Sequence, residues 1–148
     1  HRKGLKPAIR LNGTSDIAWE LVYPDMMPKF SEVQFYDYTK FPINKRTRIP
    51  ANYDLTFSRS ESNHDQVIPT LEAGRRVAVV FDVKRNDPLP EIYLGYPVID
   101  GDLHDMRFLD PQGVIIGLHG KGRAGKDRTG FVVQVEDFMQ EIILNQVA

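Results

Sequence analysis

Residues 76–83, Arg-Val-Ala-Val-Val-Phe-Asp-Val, constrain this chain more than any other stretch. From Val77 to Phe81 the run is apolar without a break, and Arg76 and Asp82 bound it. A β-segment of that composition has no polar side to give to water, so it must be covered on both faces. Five residues are also far too few to span a bilayer. Covering both faces of a central strand requires layers above and below it, which points to an α/β architecture. The 148 residues, 41% of them hydrophobic, supply enough apolar side chain for one such domain.

The other β-segments fall around this one. Pro7–Asn12 alternates Ala8 and Arg10 with Ile9 and Leu11 and meets Gly13-Thr14-Ser15-Asp16. Val33–Thr39 and Tyr53–Ser58 are rich in β-branched and aromatic residues. Val114–Leu118 reads as a second strand buried on both faces. Ile92–Ile99 reads as one strand that Pro97 pushes toward an edge, and Phe131–Val135 as a last strand. Helical segments are short. Pro24 and Pro28 break the connection after Ile17, because each lacks an amide donor. A helix starting near Asn63 or Asp65 and stopping at Gly74 follows Tyr53–Ser58. Val135, Phe138, Met139, Ile142, Ile143 and Val147 keep helical spacing, which predicts a C-terminal helix over Glu136–Val147. The expectation is a single α/β domain over residues 1–148. Its sheet is mainly parallel, open or a partial barrel, with flanking helices and an irregular, partly antiparallel C-terminal part.

Composition removes several classes of function. There is no cysteine, so these residues hold no disulfide, no thiol nucleophile and no iron–sulfur cluster. Nineteen bases against twenty acids leave a net charge of -1, which argues against wholesale coating of a polyanion. No secretory signal and no membrane-spanning run is visible, which leads to the expectation of a cytoplasmic protein without a membrane partner.

In parallel sheets, ligands bind beyond the carboxyl ends of the strands. The polar residues expected at that rim are Asn12 and Asp16 after the first strand, Asp37 and Lys40 after the second, and Asp102 and His104 further on. These six are the candidate catalytic groups, the carboxylates and His104 for acid–base work and Lys40 as an anion anchor. Asp100-Gly101-Asp102-Leu103-His104-Asp105 is the densest acidic segment. Asp100, Asp102, His104 and Asp105 form a candidate site for a divalent metal such as Mg or Mn, since carboxylate and imidazole suit such ions. A pair of turns around Gly101 explains the same residues without a metal.

Gly120-Lys121-Gly122-Arg123-Ala124-Gly125-Lys126-Asp127 is a near miss to a phosphate-cradling loop. Asp127 stands where a hydroxyl would bind magnesium, and the β-rich residues after it offer no helix N-terminus. What remains is a cationic loop with Lys121, Arg123, Lys126 and Arg128. Together with Lys45, Arg46 and Arg48 it could hold a phosphorylated ligand or a nucleic-acid backbone by charge.

Three segments carry a family resemblance. They are Ala8-Ile9-Arg10-Leu11-Asn12-Gly13-Thr14-Ser15-Asp16 with Trp19, Phe35-Tyr36-Asp37-Tyr38-Thr39-Lys40, and Gly95-Tyr96-Pro97-Val98-Ile99-Asp100-Gly101-Asp102 with His104-Asp105 and Arg107-Phe108. Across nearly all of residues 5–135 the chain resembles an uncharacterised family encoded by bacteriophages and prophages, similar to the gene product 88 group. The resemblance implies a bacterial host cell. It also implies that longer members carry a cysteine-rich N-terminal part, so this chain, which opens on His1, looks like the C-terminal portion of such a protein. It assigns no reaction. Three functional expectations follow: part of an enzyme with a polar site at the strand ends, a nucleic-acid-binding module using the basic loops, or a structural domain that pairs with itself or with the missing N-terminal portion.

Overall fold

The computed structural model describes residues 4–122 and 124–138. It contains a mixed eight-stranded sheet and few helices. The strands are β1 (Ala8–Arg10), β2 (Gln34–Thr39), β3 (Tyr53–Ser58), β4 (Val77–Phe81), β5 (Ile92–Tyr93), β6 (Tyr96–Asp100), β7 (Ile115–His119) and β8 (Val132–Val133). Their order is β1-β2-β3-β4-β7-β6-β5, with β8 added to β4. The path does not close on itself, so the sheet is open. β4 lies in the middle, as its sequence requires.

Every pairing is parallel except β5 with β6. The antiparallel character expected of the C-terminal part is thus confined to one hairpin, while β7 and β8 both run parallel to β4. The single strand read over Ile92–Ile99 is that hairpin. Leu94 (φ 53°) and Gly95 (φ 81°) both sit in the left-handed region, the backbone of a two-residue turn that matches the strand twist. Leucine at the first turn position hides the signal that asparagine or aspartate would have given.

The helices are shorter than a flanked sheet usually carries. They are α1 (Trp19–Val22), α2 (Met26–Lys29) and α3 (Val67–Glu72), with a further helical turn over 135–138. Most of the predicted C-terminal helix, and Arg123, lie outside the described residues. No described helix is long and apolar enough to cross a membrane.

The sheet's two faces differ. Phe35, Tyr53, Leu55, Phe57, Val77, Val79, Phe81 and Ile115 face one side and form the main core with Met27 of α2 and Val67 and Leu71 of α3. Strand alternation sends Asp54, Thr56 and Arg76 to the other side. That side has a smaller apolar cluster of Ala78, Val114 and Ile116, backed by Tyr38, Ile99 and Leu118. Its cover is the irregular segment 101–112, held by buried arginines. Arg107 bonds the His104 carbonyl and lies 3.2 Å from Asp110, while Arg76 pairs with Asp54 and donates to the Asp110 carbonyl at 2.7 Å. Gly101 is required under this cover, since a Cβ there would lie 2.4 Å from Ile116 and 2.8 Å from Leu118.

Neighbour exchange along β4 positions the site. On the edge away from β7, β3 pairs with Val77 and Ala78 only, and β8 pairs with Val80 and Phe81. The sheet therefore forks at Ser58, near the carboxyl ends of the parallel strands. Beside that fork, the rim opens into a crevice.

Candidate functional site

Two contiguous cavities occupy this rim. The smaller lobe, about 290 Å³, lies over the ends of β1 and β2 and is lined by the 12–16 loop, Thr39 and Lys40. The larger lobe, about 580 Å³, has Val80, Leu118 and Phe131 on its walls and Asp102, His104, Asp105 and Lys121 around it. Arg10, Tyr38 and Ser58 line both. Apolar walls with a few convergent polar groups are the usual make-up of a small-molecule site.

The 12–16 loop is built by Asn12, which is 2% exposed. Its Oδ1 accepts from Ser15 Oγ at 2.8 Å, the Ile17 amide at 3.2 Å and Trp19 Nε1 at 2.9 Å. Its own amide donates to Asp37 Oδ1 at 2.6 Å, and Tyr53 donates to Asp37 Oδ2 at 2.8 Å. Burial pushes the Asp37 carboxyl above its ordinary range, against the pull of the Asn12 amide and the Tyr53 hydroxyl. Burial and the Asp37 contact likewise raise the Tyr53 phenol. Asp16 closes the loop onto β2 by accepting the Lys40 amide at 2.7 Å. Asp37 thus shapes the small lobe from behind, whereas Asn12, Asp16 and Lys40 line it.

Two cation–aromatic pairs flank the seam between the lobes. The Arg10 guanidinium lies 4.8 Å from the Tyr38 ring centre, and the Lys40 ammonium lies 5.2 Å from that of Phe131. Arg10 also pairs with Asp105 at 2.9 Å, and Tyr38 donates to the same carboxylate at 3.1 Å. Burial raises the Tyr38 phenol. Among the described residues Lys40 makes no ion pair.

At the far wall, Asp102 is held between two cations. Lys121 Nζ lies 2.5 Å from one carboxylate oxygen, and His119 Nδ1 lies 2.8 Å from the other. Burial alone would raise this carboxyl, but the Lys121 ammonium and the His119 donors outweigh it and hold Asp102 at about 2. The second ring nitrogen of His119 faces the Asp87 carbonyl at 3.1 Å. Neither acceptor carries a proton, so both contacts favour the doubly protonated ring. Burial opposes that state, while the Asp102 and Asp87 contacts and the nearby Asp100 charge raise its affinity for the proton.

Asp100, Asp102 and His119 offer ligand atoms within 4.8 Å of one another. The metal group expected from sequence is thereby rearranged. Asp100 and Asp102 keep their place, but His104 lies 3.5 Å from Asp110 and 3.2 Å from Arg107, and Asp105 serves Arg10 and Tyr38. A cation at Asp100, Asp102 and His119 would need His119 to lose a proton and Lys121 to withdraw. The donor set, as arranged, is an ion-pair network.

The basic clusters divide in a similar way. Arg46 pairs through two nitrogens with Glu20, at 2.7 and 2.5 Å, and both side chains are buried. Lys45, Arg48 and Lys126 are exposed. Arg128 lines a separate cavity of about 370 Å³ whose other guanidinium, Arg59, is occupied by the Gly130 and Phe131 carbonyls.

Sequence reading places Ser58 at the strand-end rim but misses Arg10, Tyr38, His119 and Phe131 as site residues. For His119 a signal existed: it directly follows the doubly buried segment Val114–Leu118, where a parallel strand delivers its next side chain to the rim. Phe131 gave none, because an aromatic beside a strand reads as core. No curated protein and no solved structure matches the chain. The family model described as Gene product 88 matches residues 1–135, and the chain therefore belongs to the gene product 88 family.

Proposed function

We propose that this chain carries the small-molecule site of an enzyme, seated in the two-lobed crevice at the carboxyl ends of the parallel strands. The observation that carries this reading is the convergence of Arg10, Tyr38 and Ser58, from three adjacent strands, on both lobes at the point where β3 leaves β4. Open parallel sheets place ligands at this end. Lys40, Arg10 and Lys121 supply positive charge, and Asp102 is a fixed anion near neutral pH. Asp37 and His119 act behind the walls as positioning residues, and Asn12 holds the 12–16 loop from within the small lobe. A divalent ion would enter only by displacing Lys121 from Asp102.

Protein-observed NMR with a diverse library of small polar metabolites tests this. Shifts should cluster on Arg10, Tyr38, Ser58 and Lys121. If no compound perturbs them, while single-stranded oligonucleotides move Lys45, Arg48, Lys126 and Arg128 with a steep salt dependence, the enzyme reading gives way to a binding module.

A further inference from the structure

The chemistry of the crevice is asymmetric, and the asymmetry specifies a ligand class. The small lobe offers hydroxyls at Thr14 and Ser58 and the cation of Lys40, whose partner is a ring instead of a carboxylate. Its one lining carboxylate, Asp16, is engaged by the Lys40 amide. A group with hydroxyl donors and an unneutralised ammonium suits a compact anion. The large lobe offers Phe131, Tyr38, Val80 and Leu118, surfaces for a flat apolar body. Asp102 and Asp105 stand at its edge, each already engaged, Asp102 by Lys121 and His119 and Asp105 by Arg10 and Tyr38. The cation–aromatic pairs at the seam present positive charge directly beside a ring.

Resting on the small-molecule reading above, we infer that the ligand is a mononucleotide. Its single phosphate sits in the small lobe at Lys40 and Arg10, and its base lies in the large lobe against Phe131 and Tyr38. The two lobes lie within the size range of ordinary ligand pockets.

Isothermal titration of the full chain with the four ribonucleoside monophosphates, the matching nucleosides and inorganic phosphate decides the matter. At least one monophosphate should bind roughly tenfold or more tightly than its nucleoside. Inorganic phosphate should compete with it. Lys40→Ala should remove most of that phosphate advantage, leaving nucleoside binding in place, and Phe131→Leu should weaken nucleotide and nucleoside alike. Lys40→Gln, checked with Lys40→Ala for an unchanged unfolding curve, separates loss of charge from loss of fold. If neutral metabolites shift Arg10, Tyr38 and Ser58 but no monophosphate binds at millimolar concentration, the mononucleotide assignment is overturned and the small-molecule site stands. If nothing shifts those residues, both fail. Tighter binding of an oligonucleotide than of any monophosphate also overturns it.

Discussion

The two faces of the sheet are built on opposite principles. One is closed by hydrocarbon: Phe57, Val77, Val79, Phe81 and Ile115 are wholly buried against α2, α3 and each other. The other is closed by an irregular strap whose anchors are charged, with Arg76 and Arg107 each 1% exposed. Several polar atoms beneath that strap lack a hydrogen-bond partner, among them Asp54 Oδ1, Thr56 Oγ1 and Arg107 Nε. Apolar packing is non-directional and adds up with area, so the first face carries stability. Buried ion pairs gain little net energy but fix geometry, so the second face holds the strap that bounds the crevice. The difference teaches why the site opens on the polar side. A loop held by directional bonds can leave a cavity beside it, whereas a close-packed helix layer cannot.

The sharpest way to break this comparison is to damage each face equally. Phe57→Ala should cost about 3–5 kcal/mol of unfolding free energy in urea, because the wholly buried ring leaves a cavity. Arg76→Met should cost about 3 kcal/mol, since it leaves Asp54 without its cation. Adding Asp54→Leu to Arg76→Met should return much of that loss, whereas no second truncation on the apolar face would. If the double variant is no more stable than Arg76→Met alone, the ion pair contributes net energy and the contrast is false.

Gly101→Ala tests the strap itself. Its Cβ would press on Ile116, Leu118 and Arg107. The expected cost is about 1–3 kcal/mol, accompanied in NMR by shifts over residues 101–110 and not over α3. Shifts confined to the apolar core would contradict the assignment of Gly101 to the cover.

The smallest expected effect is electrostatic. The native affinity of His119 for its proton is raised above the ordinary value of 6.5. Its stabilising contribution is therefore complete below about pH 6.5 and fades as pH rises through the higher native value. Asp102 runs the other way: depressed from 3.8 to about 2, it contributes above pH 3.8 and loses that contribution as pH falls toward 2. Urea unfolding measured from pH 6 to pH 9 should show a decline that His119→Gln abolishes. An unchanged decline in that variant would assign it to another group.

Much of the strand layout was legible in the residues. Val77–Phe81 and Val114–Leu118 read as strands buried on both faces, and the structure pairs them at the centre of the sheet, while Pro24 and Pro28 had to break the first connection into pieces. The hairpin at Leu94-Gly95 was not legible, because its left-handed turn carries leucine in place of a residue that favours that backbone. Nor were the fates of individual charges. Arg46 reads as one member of a basic cluster, yet it meets Glu20, twenty-six residues away. His104 reads as the imidazole of the acidic segment, yet His119 reaches Asp102 instead.

Sequence by itself determined which segments become strands and that the sheet must be covered on both faces, since alternation and apolar runs act over a few neighbouring residues. Only the tertiary structure decided where β3 parts from β4, which arginines are buried and which carboxylate His119 serves. Those outcomes depend on distances between residues far apart in the chain, and such distances exist only once the strands have paired.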